Sequence, residues 1–214
     1  MCTRFALHSP LELLQRLFGF GDQVDVEPRY NIAPGREVLA LVLDDAGEPH
    51  ATQLHWGLVP HGASHAPLVN VRAESADVRP SFRNAAAHRR ALVLADGFYE
   101  WRPEGSRKQP YLFEMPDHAP FGMAALYWPR AETRQCALLT MDAMPVVEPI
   151  HDRMPIVIRA PEALAWLSGE GSARDLIQVG QTADLTCRAI DPVMNDVRRE
   201  GPDLIRPPRQ GSLL

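Results

Sequence analysis

Short apolar runs and alternating apolar and polar positions dominate the hydrophobic pattern of the chain and predict many closely spaced strands. The clearest pair is Val38–Leu43 and Thr52–Trp56, which the turn at residues 44–47 joins into a hairpin. Further strands are predicted over Ala91–Leu94, Gly97–Trp101, Tyr111–Glu114, Phe121–Tyr127, Gln135–Thr140, Pro155–Ile158 and Leu185–Ile190. Turns that contain Gly, Pro or Asp separate most of these segments.

Helical periodicity is confined to a few short segments. Ser9-Pro10-Leu11-Glu12 is typical of a capping box, and Gly19 and Gly21 end the apolar face that follows it. Shorter helices are predicted over Pro80–Ala87, Pro161–Leu167 and Ala173–Val179. Residues 57–69 are expected to form a loop, and the Pro-rich tail from Gly201 is expected to be extended.

Many strands with few long helices indicate an α+β fold with a curved, mainly antiparallel sheet. The 214 residues include 45% apolar and 23% charged residues, a globular composition. We find no repeat, linker or low-complexity block, so residues 1–214 are expected to form one domain, and a monomer is the default expectation.

The charge pattern argues against a global attraction to nucleic acid, because the formal net charge is -5. A local basic stretch nevertheless contains Arg72, Arg79, Arg83, His88, Arg89 and Arg90. No apolar run approaches the roughly 20 residues of a membrane span, and no secretory signal is visible. We therefore expect no membrane partner and a cytoplasmic location.

The three cysteines, Cys2, Cys136 and Cys187, are too few and too far apart to indicate a disulfide framework or a CxxC zinc site. Cys136 and Cys187 lie in apolar strands and are interpreted as core residues. His61 and His65 are four residues apart, but in a loop without a third ligand, so no metal site is expected.

Cys2 is the first candidate for chemistry, because removal of Met1 ahead of a small residue would expose a 1,2-aminothiol. An α-amine with a pKa of about 7.7–8.0 is substantially neutral at physiological pH. It can form an imine with an aldehyde, and the thiol can then close a five-membered thiazolidine. Such a terminal cysteine could also cleave amides. The alternative is that Cys2 is an incidental second residue.

Three further segments carry candidate polar groups. In the strand ADGFYEW, Glu100 shares a face with Phe98, where burial would raise its pKa; the alternative is a solvent-facing glutamate. His151, in IHDRMP, could shuttle protons or could be a structural histidine. Strand alternation places Asn70, Arg72 and Glu74 on one side, either to bind an amine or phosphate or as an ordinary edge strand with an ion pair.

Together these segments resemble the SRAP family, the SOS response-associated peptidase domain proteins. The matching pieces, in order, are Met1-Cys2-Thr3-Arg4-Phe5, RYNIAPG (29–35), WGLVP (56–60), NVRAES (70–75), ADGFYEW (95–101), KQPY (108–111), IHDRMP (150–155) and VMNDVRREGPDLI (193–205). They span nearly the whole chain, and the set is specific although no single piece is decisive.

The resemblance implies an enzyme that senses and shields abasic sites in single-stranded DNA through a thiazolidine crosslink, as part of DNA damage tolerance. By matching position, Cys2 is the nucleophile, Asn70 positions the reacting groups, Glu100 is the acid/base, and His151 assists proton transfer at the sugar. Arg4, Arg72 and Thr140 match positions that hold the DNA backbone. A barrel-like β core with peripheral helices is implied, with no metal or organic cofactor, and with nucleoid association on DNA.

Two departures from the family pattern concern the DNA-binding surface. Thr3 stands where glycine is usual, and His61-Gly62-Ala63 replaces a loop that usually carries tryptophan. Two other functions stay open. One is a thiol peptidase that uses Cys2, Glu100 and His151, although Cys2 directly follows Met1 and leaves no leader to remove. The other is a non-catalytic single-strand binding module that uses the Arg72–Arg90 region.

Overall fold

A computed structural model describes residues 2–59, 66–130, 133–169, 171–172, 175–181 and 183–208. Over these residues the strands are β1 (Phe5–Leu7), β2 (Arg29–Ile32), β3 (Glu37–Leu43), β4 (Pro49–Trp56), β5 (Asn70–Arg72), β6 (Arg90–Ala95), β7 (Gly97–Glu104), β8 (Arg107–Glu114), β9 (Phe121–Arg130), β10 (Thr133–Asp142), β11 (Arg153–Pro155), β12 (Val157–Ile158) and β13 (Thr186–Ala189). The α-helices are α1 (Leu11–Phe18), α2 (Ala73–Ala76), α3 (Pro80–His88), α4 (Ala163–Leu167) and α5 (Asp175–Gly180). Short 3₁₀ turns cover Ala160–Glu162, Pro192–Asn195 and Pro202–Ile205.

Five strands close into a mixed β-barrel in the order β10-β4-β3-β6-β9, and β9 pairs back with β10. The β10–β4 pair is parallel, whereas the other pairs around the barrel are antiparallel. The predicted hairpin β3–β4 forms the first side of this barrel. The α+β fold class and the mainly antiparallel, barrel-like core expected from the sequence are therefore confirmed.

A second, antiparallel sheet has the order β13-β8-β7-β1-β2 and contains β1, the first described strand. Its strand β7 separates two apolar clusters, because Phe98 packs in the large core and the next residue, Tyr99, packs in a smaller one. Phe98 stacks on Phe113 of β8 with ring centroids 4.9 Å apart. Both faces of β7 are thus buried at this point, and alternation returns Glu100 to the Phe98 face.

The short strand β5 lies against one side of β10. It pairs in parallel with β10, so that Asn70 lies opposite Leu138 and Arg72 opposite Thr140. Strand β11 pairs antiparallel with the end of β10 and places Arg153 opposite Asp142. Strand β10 therefore brings together two strands that are far apart in the sequence, β5 and β11.

Three local expectations are corrected by the structure. The Ser9 hydroxyl does not cap α1; it donates to Asp96 Oδ1 at 2.5 Å, and α1 begins after Pro10 without a side-chain cap. Glu74 does not continue strand β5, because the chain turns into α2 at Ala73. The tail after Gly201 is not fully extended, since it forms a 3₁₀ turn that buries Leu204.

Several predicted elements are confirmed with shifted ends. Gly19 ends α1 in the left-handed conformation, with φ 73°, as the sequence indicated. The predicted strand Pro155–Ile158 is divided into β11 and β12. Of the predicted helix Ala173–Val179, residues 173–174 lie outside the described ranges, and α5 covers the rest. Within the described part of the chain, no helix is long and apolar enough to cross a bilayer.

Candidate functional site

The antiparallel pairing of β1 with β7 positions the start of the chain. Phe5 lies opposite Phe98, and the Tyr99 backbone N–H donates to the Arg4 carbonyl at 3.0 Å. Continuing that register toward the terminus brings residues 2–4 alongside the second half of β7. The terminal segment is thus held beside Glu100 by ordinary sheet pairing.

Cys2 is buried, with 0% of its surface exposed. Its thiol contacts the Arg4 carbonyl at 3.6 Å, and its own carbonyl accepts a hydrogen bond from Asn70 Nδ2 at 2.9 Å. Burial, and then the neighbouring Glu100 carboxylate, raise the pKa of the Cys2 thiol well above its ordinary value. The thiol is therefore protonated at neutral pH.

Glu100 is almost fully buried on β7, with 3% of its surface exposed. Burial raises the pKa of Glu100 to about 7, because the surroundings disfavour the charged carboxylate. At neutral pH both protonation states are therefore populated. A carboxyl group in that condition can donate a proton in one step and accept one in the next. The alternative of a solvent-facing glutamate is excluded.

His151 lies in the turn that precedes β11 and remains partly exposed. The Arg153 backbone N–H donates to His151 Nδ1 at 2.9 Å, and Asp152 Oδ1 lies 2.9 Å from the same nitrogen. Burial lowers the pKa of His151, so the neutral ring is favoured at neutral pH. The backbone contact favours a neutral ring with its hydrogen on Nε2, whereas the Asp152 contact favours a hydrogen on Nδ1.

Asn70 and Arg72, at the two ends of β5, have opposite environments. Asn70 is buried, and its Oδ1 has no hydrogen-bond partner among the described residues. Arg72 is exposed. The strand therefore places one buried amide against the Cys2 carbonyl and exposes one guanidinium to solvent. Glu74 pairs with Arg153 instead of lying on the Arg72 side of a continued strand.

The other two residues matched to DNA-backbone positions are buried. Arg4 donates to Asn31 Oδ1 at 2.5 Å, and its guanidinium lies 5.6 Å from the Trp101 ring centroid. It still lines the cleft described below. Thr140 is 0% exposed, and its hydroxyl donates to the Val71 carbonyl at 3.4 Å. Thr140 in this arrangement supports the strand pair β5–β10 and presents no group to solvent.

An open cleft of about 1400 Å³ lies beside the terminal segment. Its wall includes Thr3, Arg4, Glu100, Trp101 and His151, which come from the terminus, β7 and the turn before β11. The rest of the wall is formed by the β7–β8 hairpin, over residues 104–109, and by the 3₁₀ turn Pro192–Asn195 with the preceding Asp191. The structure thus brings together the cysteine segment, Glu100 and His151, three parts of the chain that the sequence separates widely.

Trp101 is a lining residue to which the sequence analysis gave no role of its own. Its indole N–H donates to Asn195 Oδ1 at 2.6 Å, and the ring is half-buried. Its position one residue after Glu100 was the available signal. Asn195 lies in the quoted motif VMNDVRREGPDLI, but its approach to the cleft arises only through the fold, from a 3₁₀ turn more than 90 residues later.

The basic stretch from Arg72 to Arg90 is not one continuous exposed surface. Arg90 is buried, donates to the carbonyls of Ala86, Trp166 and Gly171, and lies 4.4 Å from the Trp166 ring centroid. Arg89 is half-buried and donates to a backbone carbonyl. Arg72, Arg79 and Arg83 remain exposed. The Arg90 side chain therefore stabilises the fold through these internal contacts.

The remaining candidates are placed as follows. Cys136 is buried in β10, as expected of a core residue, and Cys187 is half-buried in β13. His61 and His65 lie outside the described residues, as does the loop segment His61-Gly62-Ala63. Among the described residues, no three His, Cys, Asp or Glu side chains group as metal ligands. Thr3 has no positive φ, so its backbone does not require glycine.

Comparison with known proteins identifies the family of this chain. Residues 1–198 match the family described as SOS response associated peptidase (SRAP), so the chain belongs to the SRAP family. It is 30% identical over 222 residues to abasic site processing protein YedK of Escherichia coli, covering 97% of this chain and 100% of that one. It is 29% identical over 222 residues to abasic site processing protein YoqW of Bacillus subtilis, covering 96% and 99%.

The fold is shared with solved structures as well. A phage-related protein from Bordetella bronchiseptica superimposes with a TM-score of 0.73 at 27% identity, covering 88% of this chain and 94% of that one. A protein from Bacteroides thetaiotaomicron superimposes with a TM-score of 0.77 at 20% identity, covering 96% and 99%. The second likeness concerns the fold alone.

Proposed function

We propose that this protein processes abasic sites in single-stranded DNA by joining Cys2 covalently to the ring-opened sugar aldehyde. The observation that carries the proposal is the grouping of Cys2, Asn70 and Glu100 beside an open cleft. The names of YedK and YoqW as abasic site processing proteins support it. Single-stranded DNA is proposed because an unpaired, flexible strand can turn the sugar aldehyde into the cleft without disrupting a duplex.

The reaction begins with removal of Met1, which converts Cys2 into a terminal 1,2-aminothiol. The α-amine adds to the aldehyde carbon to give a carbinolamine, and loss of water gives an imine. The thiol sulfur then bonds to the imine carbon, and its proton passes to the nitrogen. The product is a thiazolidine, and one water molecule is released overall.

The protonation state of the thiol sets the order of these steps. Burial and Glu100 keep the Cys2 sulfur protonated, so sulfur is a weak nucleophile before the amine has reacted. The α-amine, with an ordinary pKa of about 7.7–8.0, is the stronger nucleophile near neutral pH. Imine formation therefore precedes ring closure, and closure needs a base to take the thiol proton.

Glu100 is suited to both proton transfers. In its protonated form it donates to the carbinolamine hydroxyl, which leaves as water. In its ionised form it takes the proton from the Cys2 thiol during closure. A pKa of about 7 populates both forms at neutral pH, so one side chain can serve the two steps in turn.

His151 and Arg72 complete the proposed site. His151 lines the cleft, where its ring can donate to the sugar ring oxygen, and protonation there favours the open aldehyde. Arg72 is exposed and can bind a flanking phosphate. Arg4 lines the cleft, where it stays a proposed backbone contact. Holding the aldehyde against the amine is the largest expected contribution to the rate.

The two other functions have weaker support. A thiol peptidase needs the Cys2 sulfur to attack first, whereas burial keeps that thiol protonated and the α-amine is the stronger nucleophile near neutral pH. A purely non-catalytic binding module would use the Arg72–Arg90 region, but Arg90 is buried in contacts with three carbonyls. It also assigns no role to the buried amide that holds Cys2.

Denaturing electrophoresis tests the proposal. Purified protein, with its N-terminus confirmed as Cys2, is mixed with single-stranded DNA that carries one abasic site, and with intact DNA as control. We expect a denaturation-resistant band that requires the abasic site and is absent for Cys2→Ala. Absence of the band for the native chain would reject the proposal. A band that persists in Cys2→Ala would reject Cys2 as the nucleophile.

A further inference from the structure

Asn31 is a buried residue of β2 to which the proposed chemistry gives no role, and 5% of its surface is exposed. Its Nδ2 donates to the carbonyls of Asp196 and Arg199, at 3.1 and 2.8 Å. Its Oδ1 accepts from Arg4 Nη1 at 2.5 Å. The reverse orientation of the amide would turn its NH₂ group toward the guanidinium and its oxygen toward two carbonyls. These partners therefore fix which atom faces Arg4.

Arg4 holds its charge beside the cleft without an ion pair. Of the residues that the structure describes, none forms an ion pair with Arg4, and the carboxylate of Asp196 pairs with Arg198 instead. The second acceptor of Arg4 is the Met194 carbonyl, 3.4 Å from Nη1. Burial lowers the pKa of Arg4 from its ordinary value, but arginine stays protonated at neutral pH. A largely desolvated cation with neutral partners thus lines the cleft.

The hydrogen bonds within the protein use only one nitrogen of the guanidinium. Both start from Nη1, and no acceptor among the described residues bonds to Nε or Nη2. These two nitrogens form a planar fork that matches two oxygens of a phosphate. Asn31 therefore holds the Arg4 side chain at a point that leaves the fork available to an anion in the cleft.

The chemical nature of the acceptor at position 31 decides how much charge Arg4 retains for a ligand. A carboxylate there would form a buried ion pair with the guanidinium, and a paired cation gains less from a phosphate. The neutral amide of Asn31 orients the same group and leaves its charge uncompensated. Its two bonds to the C-terminal segment keep the amide itself in place.

We propose that Asn31 is a positioning residue that holds Arg4 toward the cleft through a neutral acceptor, so that the charge of the guanidinium is available to a phosphate of the DNA backbone. This inference rests on the proposed function, in which Arg4 contacts that backbone. Asn31 itself does not touch the DNA. It affects how tightly the strand is held, and it does so through Arg4.

Asn31→Asp tests the neutral acceptor, because it keeps the shape of the side chain and an oxygen that faces Arg4 but adds a negative charge. We expect affinity for intact single-stranded DNA to fall by about fivefold to tenfold. The slope of log affinity against log salt concentration should become shallower by about one, as it should in Arg4→Ala. Gln53→Glu adds the same charge at an exposed position of β4 outside the cleft wall and should leave the slope unchanged.

The double variant Asn31→Asp/Arg4→Ala separates positioning from a direct effect of the new charge on DNA. In the absence of Arg4, the change at position 31 should have almost no further effect on affinity or slope. If Asn31→Asp weakens binding equally with and without Arg4, the new charge repels the strand directly and the inference is overturned. A native slope in Asn31→Asp would also overturn it.

A readout in the free protein tests the positioning without DNA. The ¹H–¹⁵N signals of the Arg4 guanidinium, identified by their loss in Arg4→Ala, report whether Nη1 is held. Separate Nη1 and Nη2 signals are expected in the native protein and in Gln53→Glu, whereas Asn31→Ala should merge them. Separate signals in Asn31→Ala, with thermal unfolding confirming that this variant is folded, would reject the role of Asn31.

The same measurements distinguish failure of this inference from failure of the proposed function. Binding of intact single-stranded DNA requires no covalent step. If the native protein binds the strand but makes no crosslink with abasic DNA, the proposed function fails and the variants at position 31 still decide the role of Asn31. If it makes the crosslink while Asn31→Asp binds as the native protein does, only the inference fails.

Discussion

The side-chain amide of Asn70 donates a 2.9 Å hydrogen bond to the carbonyl of Cys2, 68 residues earlier in the chain. Asn70 comes from the short strand β5, and Cys2 precedes the first strand of the other sheet. The bond therefore connects the barrel with the sheet that contains β1. It fixes the peptide group next to the atoms that would react.

Replacement of Asn70 by alanine tests the importance of that bond. The substitution leaves the buried Cys2 carbonyl unsatisfied, so we expect a loss of about 1–3 kcal/mol in the free energy of unfolding. We also expect crosslinking at saturating DNA to slow by about tenfold or more, because the amine is no longer held. Asn84→Ala, at an exposed position of α3, is the control. A native rate in Asn70→Ala would remove Asn70 from the site.

The pKa of Glu100 predicts a pH dependence of the reaction. As pH rises through about 7, the native protein loses the protonated carboxyl that expels water. Over the same range the α-amine becomes neutral, so the crosslinking rate should pass through a maximum. In Glu100→Gln the rate should be lower and should simply rise with pH as the amine deprotonates. Time courses stopped at intervals, across a pH series on both sides of neutrality, measure this, and an unchanged profile in Glu100→Gln would contradict the acid/base role.

Arg72 predicts a change in electrostatic binding. Its exposed guanidinium should bind a backbone phosphate, so Arg72→Ala should weaken binding to single-stranded DNA of any sequence. The slope of log affinity against log salt concentration should fall by about one. Fluorescence anisotropy at several salt concentrations measures both effects. Arg16→Ala removes the same charge from exposed α1 and serves as control; equal slopes for native and Arg72→Ala protein would exclude the contact.

The close packing around Gly97, at the start of the strand that carries Glu100, predicts that a larger residue there destabilises the protein. An added Cβ would lie 2.7 Å from Leu112 Cδ1 and 2.9 Å from the Phe113 carbonyl oxygen. Because the second neighbour is backbone, the strand itself must shift, and we expect Gly97→Ala to cost about 1–3 kcal/mol of stability. Gly21→Ala, which has open space around its Cβ, should be nearly neutral. Chemical denaturation compares the two, and equal stabilities would contradict the close approach.

Local patterns in the sequence predicted the hairpin β3–β4, the strands β6, β7, β9 and β10 and helix α3 with ends shifted by up to about three residues, but only the second half of β8. Closure of the barrel was not predictable in this way, because it depends on the parallel pairing of β10 with β4, which are distant in the sequence. Strands β1 and β5 have three residues each, too few to give a period. Ser9 stands where the sequence predicts a helix cap, but its hydroxyl donates a hydrogen bond to the buried carboxylate of Asp96 instead.

The residues of the candidate site divide in the same way, into those that the local sequence predicts and those that only the fold reveals. Cys2 and Glu100 could be proposed from their chemical groups and strand positions. The burial of Arg90 and Thr140 could not, because it arises where segments distant in sequence meet. Arg153 stood in a quoted motif without a role, since only the fold shows that Glu74 is its partner.

The mass of the covalent product tests the central claim most directly. Protein that starts at Cys2 is reacted with a short single-stranded oligonucleotide carrying one abasic site, and the intact adduct is weighed by mass spectrometry. We predict the sum of the two masses less one water, with no free thiol at Cys2 and no gain of mass on treatment with cyanoborohydride, as a closed thiazolidine requires. An adduct that cyanoborohydride reduces and that keeps a free Cys2 thiol, or an adduct mapped to another residue, would contradict the account.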